Sequence, residues 1–216
     1  MPRTSYHHGA LRDALLTACL RLIETEGIAA VSLRRVAREA GVSSGAPYHH
    51  FPDRAALLAD LVTQGFRLLA ERLTEARTTA DSPTAALLAL EQSYIRFARD
   101  KPAYFRLMFR PELSQPEKHP DARAAGEAAF GVLAEAVGDC VAAGELSPDR
   151  AETTVLTVWA LGHGLASLWL DGHLDKRADI LGASPAALVD SVLGGLDGFL
   201  AAGTPPGARG VAGGSP

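Results

Sequence analysis

The 216-residue chain has few cysteines, no long apolar run and no overall excess of positive charge. Cys19 and Cys140 fall on separate predicted helices outside any metal-binding or redox motif, so we expect two buried free thiols in a reducing compartment. Charges or glycines interrupt every apolar stretch before it reaches the ~20 residues that cross a membrane. No signal-peptide core follows the N-terminus either. These features predict a cytoplasmic protein that has no membrane span.

The net charge of −4 first argues against nucleic acid, because DNA-binding surfaces usually show an excess of Lys and Arg. The charge is, however, unevenly distributed. Residues 1–54 carry seven arginines against five acidic residues, a net charge of +2, whereas residues 55–216 carry fourteen basic against twenty acidic residues, a net charge of −6. This asymmetry indicates a mildly basic N-terminal part and an acidic remainder that have different tasks.

Sequence signatures of catalysis and of metal binding are also missing. The chain has no nucleophile elbow and no phosphate-binding loop, and no paired His–carboxylate motif lies near His163. The His7–His8 and His49–His50 pairs lack a carboxylate or thiol at ligand spacing. We therefore expect no enzyme, no cofactor and no metal site.

Apolar residues recur at spacings of three and four, and no segment alternates convincingly with a period of two, so the sequence predicts an all-α fold. The predicted helices cover 10–26, 33–40, about 44–51, 54–77, 84–100, 102–109, 121–143, 148–170 and 185–201. A proline-rich loop is expected at 111–120. The tail 203–216 consists mostly of Gly, Pro, Ala and Ser, and we expect it to be disordered.

The first three predicted helices have the pattern of a helix-turn-helix unit. Ser32 is placed to cap the second helix, whose apolar face carries Leu33, Val36, Ala37 and Ala40. Gly41 permits the positive φ of the turn. Tyr48 and Phe51 are predicted to anchor the third helix, which leaves small and polar residues facing outward.

These residues resemble a known family. The runs Val31–Gly41 and Val42–Leu58 are similar to the helix-turn-helix signature of TetR-type transcriptional repressors. Near the C-terminus, Trp159 and His163-Gly164 resemble the Trp-His-Gly element of one subgroup of TetR-like regulatory domains. Residues Gly45–Tyr48 are typical of the same subgroup.

The resemblance implies a three-helix DNA-binding domain at 1–53, a larger helical effector-binding and dimerisation domain at 54–202, and a tail at 203–216. It implies phosphate contacts from Ser32, Tyr48, His49 and Arg54. It implies contacts with base edges from Arg34, Arg35, Ser43, Ser44, Ala46 and Pro47. Pro47 is tolerated in the first turn of a short helix because no helical hydrogen bond is lost there.

The effector pocket predicted for the second domain is lined by aromatic and sulfur-containing residues. The candidates are Phe66, Tyr94, Phe97, Tyr104, Phe105, Met108, Phe109, Trp159 and His163. Taken singly, each of the first seven is expected to be a core residue, and only as a group can they line an apolar pocket between helices. Trp159 and His163 share one helix face, and a buried His bonded to a carbonyl is the alternative for His163.

The last two long helices combine apolar stripes with several glycines, so they can approach another helix closely. The stripe residues are Val155, Val158, Trp159, Leu165, Trp169, Leu188, Val189, Val192, Leu193, Leu196, Phe199 and Leu200, with Gly162, Gly164, Gly194, Gly195 and Gly198 among them. With the resemblance, this pattern predicts a homodimer on a near-palindromic double-stranded DNA operator, released by a small, largely apolar effector.

Two other readings stay open. The chain can be a helical ligand-binding or scaffold protein that does not bind DNA, which the small charge of +2 supports. It can also be a small enzyme that uses His163 with Tyr104 as its partner.

Overall fold

The computed structural model describes residues 5–110 and 118–201, and within them the chain forms helices and turns but no strand. The predicted all-α fold is confirmed. The helices are α1 (Ser5–Glu26), α2 (Leu33–Glu39), α3 (Arg54–Thr78), α4 (Pro83–Asp100), α5 (Pro102–Met108), α6 (Pro120–Ala142), α7 (Ala151–Leu170), α8 (His173–Leu181) and α9 (Pro185–Ala201). The predicted disordered tail and most of the predicted loop 111–120 lie outside the described residues.

Most predicted helix bounds agree with the structure, with three corrections. Helix α1 begins at Ser5, earlier than predicted. The predicted third helix is instead a 3₁₀ turn at Ala46–His49. Helix α8 was not predicted, because its short and largely charged sequence leaves only Leu174 and Ala178 as buried apolar positions.

Two compact units divide the chain, and the first comprises the described residues of Met1–Leu68 and Lys101–Glu127. Its core is built from α1, α2, α5 and the first turns of α3, where Leu15, Val36, Leu57 and Leu61 are fully buried. Cys19 lies in this core as a free thiol, and burial raises its pKa to about 12. The thiol is therefore inert at neutral pH.

Helix α2 begins and ends as its sequence predicts. The Ser32 hydroxyl oxygen accepts a hydrogen bond from the backbone N–H of Arg35 at 3.3 Å, which satisfies one of the free amides at the helix start. Gly41 has a φ of 69°, a conformation that most other residues adopt only with strain. The cap and the turn fix the direction in which the chain leaves α2.

The second unit comprises the described residues of Leu69–Asp100 and Ala128–Pro216. Within it, α4 packs against α7 and α9. Leu87, Phe97 and Val158 are fully buried there. Arg77, near the end of α3, forms ion pairs with Glu135 and Asp139 of α6.

One segment of the second unit, Pro148–Leu170, is long and apolar enough to cross a membrane, and α8 with the start of α9 forms a second, sharply bent candidate. The expectation that no segment reaches this length is therefore wrong. One or two such helices are weak evidence for a membrane protein, because a core helix passes the same test. Only 28% of the apolar window is buried, so α7 carries an exposed apolar face.

Candidate functional site

The segment after the Gly41 turn is a compact 3₁₀ turn built around Pro47. The Pro47 carbonyl accepts hydrogen bonds from the N–H groups of His50 (2.9 Å) and Phe51 (2.8 Å). Pro47 and Phe51 are both buried. The prediction that Pro47 contacts base edges is therefore corrected: its ring anchors the turn from inside.

The outer side of this turn and of α2 is polar and exposed. Tyr48 is 55% exposed, so the prediction that it anchors the third helix is wrong, and its ring is available to a partner. The other exposed members of the predicted DNA-binding set are Arg34, Ser43, Ser44 and His49, and Ala46 is half-buried. Five of the ten predicted residues thus present side chains to solvent on two adjoining elements.

Three further predicted DNA-binding residues form hydrogen bonds within the chain, namely Ser32, Arg35 and Arg54. Arg35 donates from Nη2 to both carboxylate oxygens of Glu26, at 2.5 and 2.7 Å, and this bond lowers the pKa of Glu26. Arg54 donates to the carbonyls of Val31 (2.9 Å) and Ile28 (2.7 Å). The Ser32 hydroxyl already caps α2. These side chains tie the ends of α1, α2 and α3 to one another.

The predicted effector residues fall into one cluster in each unit. In the first unit, Phe109 packs edge-on against Phe66, with ring centroids 5.7 Å apart, and against Phe105 at 5.2 Å. A Cβ at Gly65 would lie 2.7 Å from the Met108 sulfur, so this glycine allows Met108 to approach α3 closely. The cluster is thus tightly packed around Phe109.

The second unit holds Tyr94 on α4 and Trp159 and His163 on α7. The Tyr94 hydroxyl lies 2.9 Å from His163 Nδ1, and the Trp159 ring lies 6.1 Å from the His163 ring. Phe130 of α6, which the sequence did not indicate, stands edge-on to Trp159 at 5.8 Å. Phe97 is fully buried beneath the guanidinium of Arg72, and we assign it to the core.

The pair that the enzyme alternative requires is not formed. His163 is bonded to Tyr94, whereas the Tyr104 hydroxyl donates to Gln64 Oε1 at 3.2 Å. Burial lowers the pKa of His163, which favours a neutral imidazole at pH 7. Across residues 5–110 and 118–201, no group of three or more His, Cys, Asp or Glu residues is placed to bind a metal ion.

Glu91 of α4 is the residue of this region that the sequence did not reveal. Its side chain is 4% exposed, and its Oε2 has no hydrogen-bond partner among the described residues. Burial raises its pKa to about 8. A Cβ at Gly162 would lie 2.4 Å from this oxygen, so Gly162 packs against Glu91 in its own chain rather than serving the dimer contact predicted for it.

Replacing Gly162 with alanine is expected to destabilise the protein by about 1–3 kcal/mol, because the added methyl must displace a buried carboxyl. Urea unfolding followed by circular dichroism measures the change. Gly138→Ala is the matched control: a Cβ there meets nothing within 4 Å, and alanine favours the helix by about 0.5–1 kcal/mol. Equal effects of the two substitutions would contradict the packing of Glu91 on Gly162.

The two parts of the chain match two families of known proteins. Residues 15–61 match the family described as bacterial regulatory proteins, tetR family. Residues 87–196, half of the chain, match the tetracyclin repressor-like C-terminal domain. The chain belongs to the TetR family. The exposed turn after Gly41 is accordingly part of the DNA-binding domain of a TetR-family transcriptional regulator.

Individual relatives agree with this membership. A solved protein of unknown function from Rhodococcus sp. RHA1 has 33% sequence identity and a TM-score of 0.76, with 94% of this chain and 100% of that chain covered. An uncharacterised helix-turn-helix transcriptional regulator of Haemophilus influenzae is 29% identical over 100 residues, 46% of this chain and 49% of that protein. A helix-turn-helix transcriptional repressor of Mycolicibacterium smegmatis is 29% identical over 89 residues, 41% of this chain and 43% of that protein. The chain thus spans about half the length of these two curated relatives.

Proposed function

We propose that this TetR-family protein is a dimeric cytoplasmic repressor that binds a near-palindromic operator and is released by a small, largely apolar effector. The observation that carries the proposal is the exposed polar surface of the helix-turn-helix unit, held on a buried apolar scaffold. A mycobacterial relative is named a repressor, which supports the direction of control. The operator, rather than a catalytic centre, is then the partner of the exposed turn.

The side chains on this surface divide into DNA-contacting and positioning residues. We assign phosphate contacts to Tyr48 and His49, and base-edge contacts to Arg34, Ser43 and Ser44, which are exposed. The half-buried Ala46 offers its methyl group to a thymine methyl. We assign Ser32, Arg35 and Arg54 to positioning, because their polar groups already bond within the chain.

The dimer that we propose uses the exposed apolar faces of α7 and α9. Leu156 is 50% exposed, Leu168 44% and Val192 43%. Five residues of the predicted dimer stripe are instead buried within the protomer, namely Val158, Leu165, Val189, Leu193 and Leu196; the side chains of Phe199 and Leu200 lie outside the described residues. A Cβ at Gly164, Gly194, Gly195 or Gly198 would meet nothing within 4 Å, which leaves room for a second helix.

Effector binding in the larger domain supplies the regulation. The aromatic cluster around Phe109 and the aromatic cluster around Trp159 are two separate candidate sites for an apolar ligand. We propose that the dimer exchanges between helix spacings that fit or do not fit successive major grooves. An effector that binds the second state more tightly lowers operator affinity by at most the ratio of its affinities for the two states.

The test uses DNA from beside the protein's own gene in a gel-shift titration at several salt concentrations. Arg34→Ala with Tyr48→Ala is expected to weaken binding by on the order of 100-fold and to flatten the salt dependence. Arg38→Ala is the control. The substitution removes one charge from the same helix, and this exposed arginine does not belong to the proposed contacts. Unchanged binding by the double variant would contradict the site. No salt-sensitive binding by the wild type would favour the ligand-binding or scaffold alternative.

A further inference from the structure

The core of the second unit contains polar groups with unmet hydrogen-bonding capacity. Three buried polar or charged residues occur among those described. Thr63, in the first unit, donates to the Ala59 carbonyl. In the second unit, Glu91 Oε2 and Thr154 Oγ1 have no hydrogen-bond partner among the described residues. A buried polar atom without a partner destabilises the folded state. An arrangement that serves packing alone would place apolar side chains at both positions.

The surroundings of Glu91 connect it with aromatic rings that reach the surface. Tyr94 lies one turn further along α4, and its hydroxyl bonds to His163, the neighbour of Gly162. The ring centroids of His163 and Trp159 are 6.1 Å apart, and those of Trp159 and Phe130 are 5.8 Å apart. Phe130 is 40% exposed and Trp159 39%. A row of rings therefore extends from solvent to the neighbourhood of a buried acid.

This combination favours one ligand chemistry. A buried carboxyl oxygen needs a hydrogen-bond donor, and a cationic nitrogen forms the strongest such bond. Aromatic faces accommodate an apolar body and also attract a cation. A ligand without hydrogen-bond donors would leave this oxygen without a partner.

We propose that Glu91 selects effectors that carry a cationic nitrogen on an apolar or aromatic body, with the body packed against Trp159 and Phe130. The inference rests on the proposed function, since it gives the effector of that function a chemical class. Glu91 is the specificity-determining residue, and the Tyr94–His163 pair positions the rings beside it.

Binding of such a ligand moves one proton. With a pKa of about 8, the free Glu91 carboxyl holds its proton at pH 7. The phenol of Tyr94, also on α4, interacts electrostatically with Glu91, and burial favours its neutral form. Burial also favours the neutral form of the His163 imidazole, which bonds to Tyr94. An incoming ammonium group stabilises the carboxylate, so the proton of Glu91 passes to the buffer and an ion pair forms with one proton released.

The test compares matched probes on the full-length protein at pH 7. Phenylalkylamines with one to four methylenes, the corresponding alcohols and the corresponding carboxylates are titrated by isothermal calorimetry in two buffers that differ in ionisation enthalpy. We expect at least one amine to bind more than about tenfold more tightly than its alcohol and its carboxylate, with release of close to one proton.

Glu91→Gln is expected to remove the preference for the amine and the proton release together. Glu152→Gln, which neutralises an exposed acid on α7, is expected to keep both. Equal binding of amine and alcohol by the wild type, retention of the amine preference by Glu91→Gln, or no amine binding throughout the series would each overturn the proposal. Gel shifts on the same preparations without ligand separate the two proposals, because an absence of operator binding contradicts the repressor function and leaves the amine result unaffected.

Discussion

Replacing Leu156 and Val192 with glutamate is expected to lower operator affinity by about 10²–10⁴-fold, because it separates the two DNA-binding domains. Both side chains are exposed apolar groups on α7 and α9, and a buried, unpaired carboxylate at each position opposes association. One domain alone carries only the mild charge of residues 1–54. Tight binding therefore requires a second domain on the same DNA, whose effective concentration the dimer raises.

The measurement pairs sedimentation velocity with fluorescence anisotropy on an operator duplex that is recovered by selection from random DNA. The double variant is expected to sediment as a monomer with native circular dichroism and to bind a half-site as the wild-type protomer does. Ile180→Glu is the matched control, since this residue of α8 is 72% exposed and lies outside the two proposed helices. A double variant that stays dimeric, or a monomer that keeps full operator affinity, would contradict the proposed assembly.

The second large effect is a pH-dependent gain in stability in Glu91→Gln. The pKa of Glu91 is about 8 in the folded protein and about 4.3 in an unfolded chain. Between these values the folded state holds a proton that the unfolded state has released. Wild-type stability therefore falls as pH rises from about 4.5 to 8, by about 1.4 kcal/mol per pH unit relative to a residue that does not titrate.

The free energy of unfolding of Glu91→Gln minus that of the wild type is thus expected to grow by on the order of 3–5 kcal/mol between pH 4.5 and pH 8. Urea titrations at fixed protein concentration and at four pH values measure it. Glu152→Gln, on the surface of α7, is expected to show a nearly constant difference. A wild type and Glu91→Gln whose stabilities change in parallel with pH would show that Glu91 is ionised or paired in solution.

The helix-turn-helix unit could be predicted because its determinants are local in sequence. Ser32 caps α2 within its own turn, Gly41 supplies the positive φ, and the apolar positions of α2 follow the helical period. Helices α4, α5, α6 and α9 lie close to their predicted bounds for the same reason. Patterns of this kind depend on neighbours within a few residues, so a single sequence contains them.

The structure differs from the prediction where contacts between residues distant in sequence determine the local conformation or burial. Pro47 was predicted to face outward, but it packs inward and shortens the recognition element to a 3₁₀ turn. Helix α8 has little apolar periodicity, although the two glycines that flank it, Gly172 and Gly182, both with positive φ, were a usable signal. The burial of Glu91 depends on Gly162, 71 positions further along the chain, and no local pattern connects them.

A hydroxyl-radical footprint of the wild-type protein on a duplex recovered by selection from random DNA tests whether the protein reads DNA as a dimer. Two protected half-sites related by two-fold symmetry are expected, with centres about 34–36 Å apart or a multiple of that distance. Arg34→Ala with Tyr48→Ala is expected to weaken the protection of both half-sites equally. A single asymmetric footprint, or no selected sequence at all, would contradict a dimeric regulator that reads DNA through the surface around Tyr48.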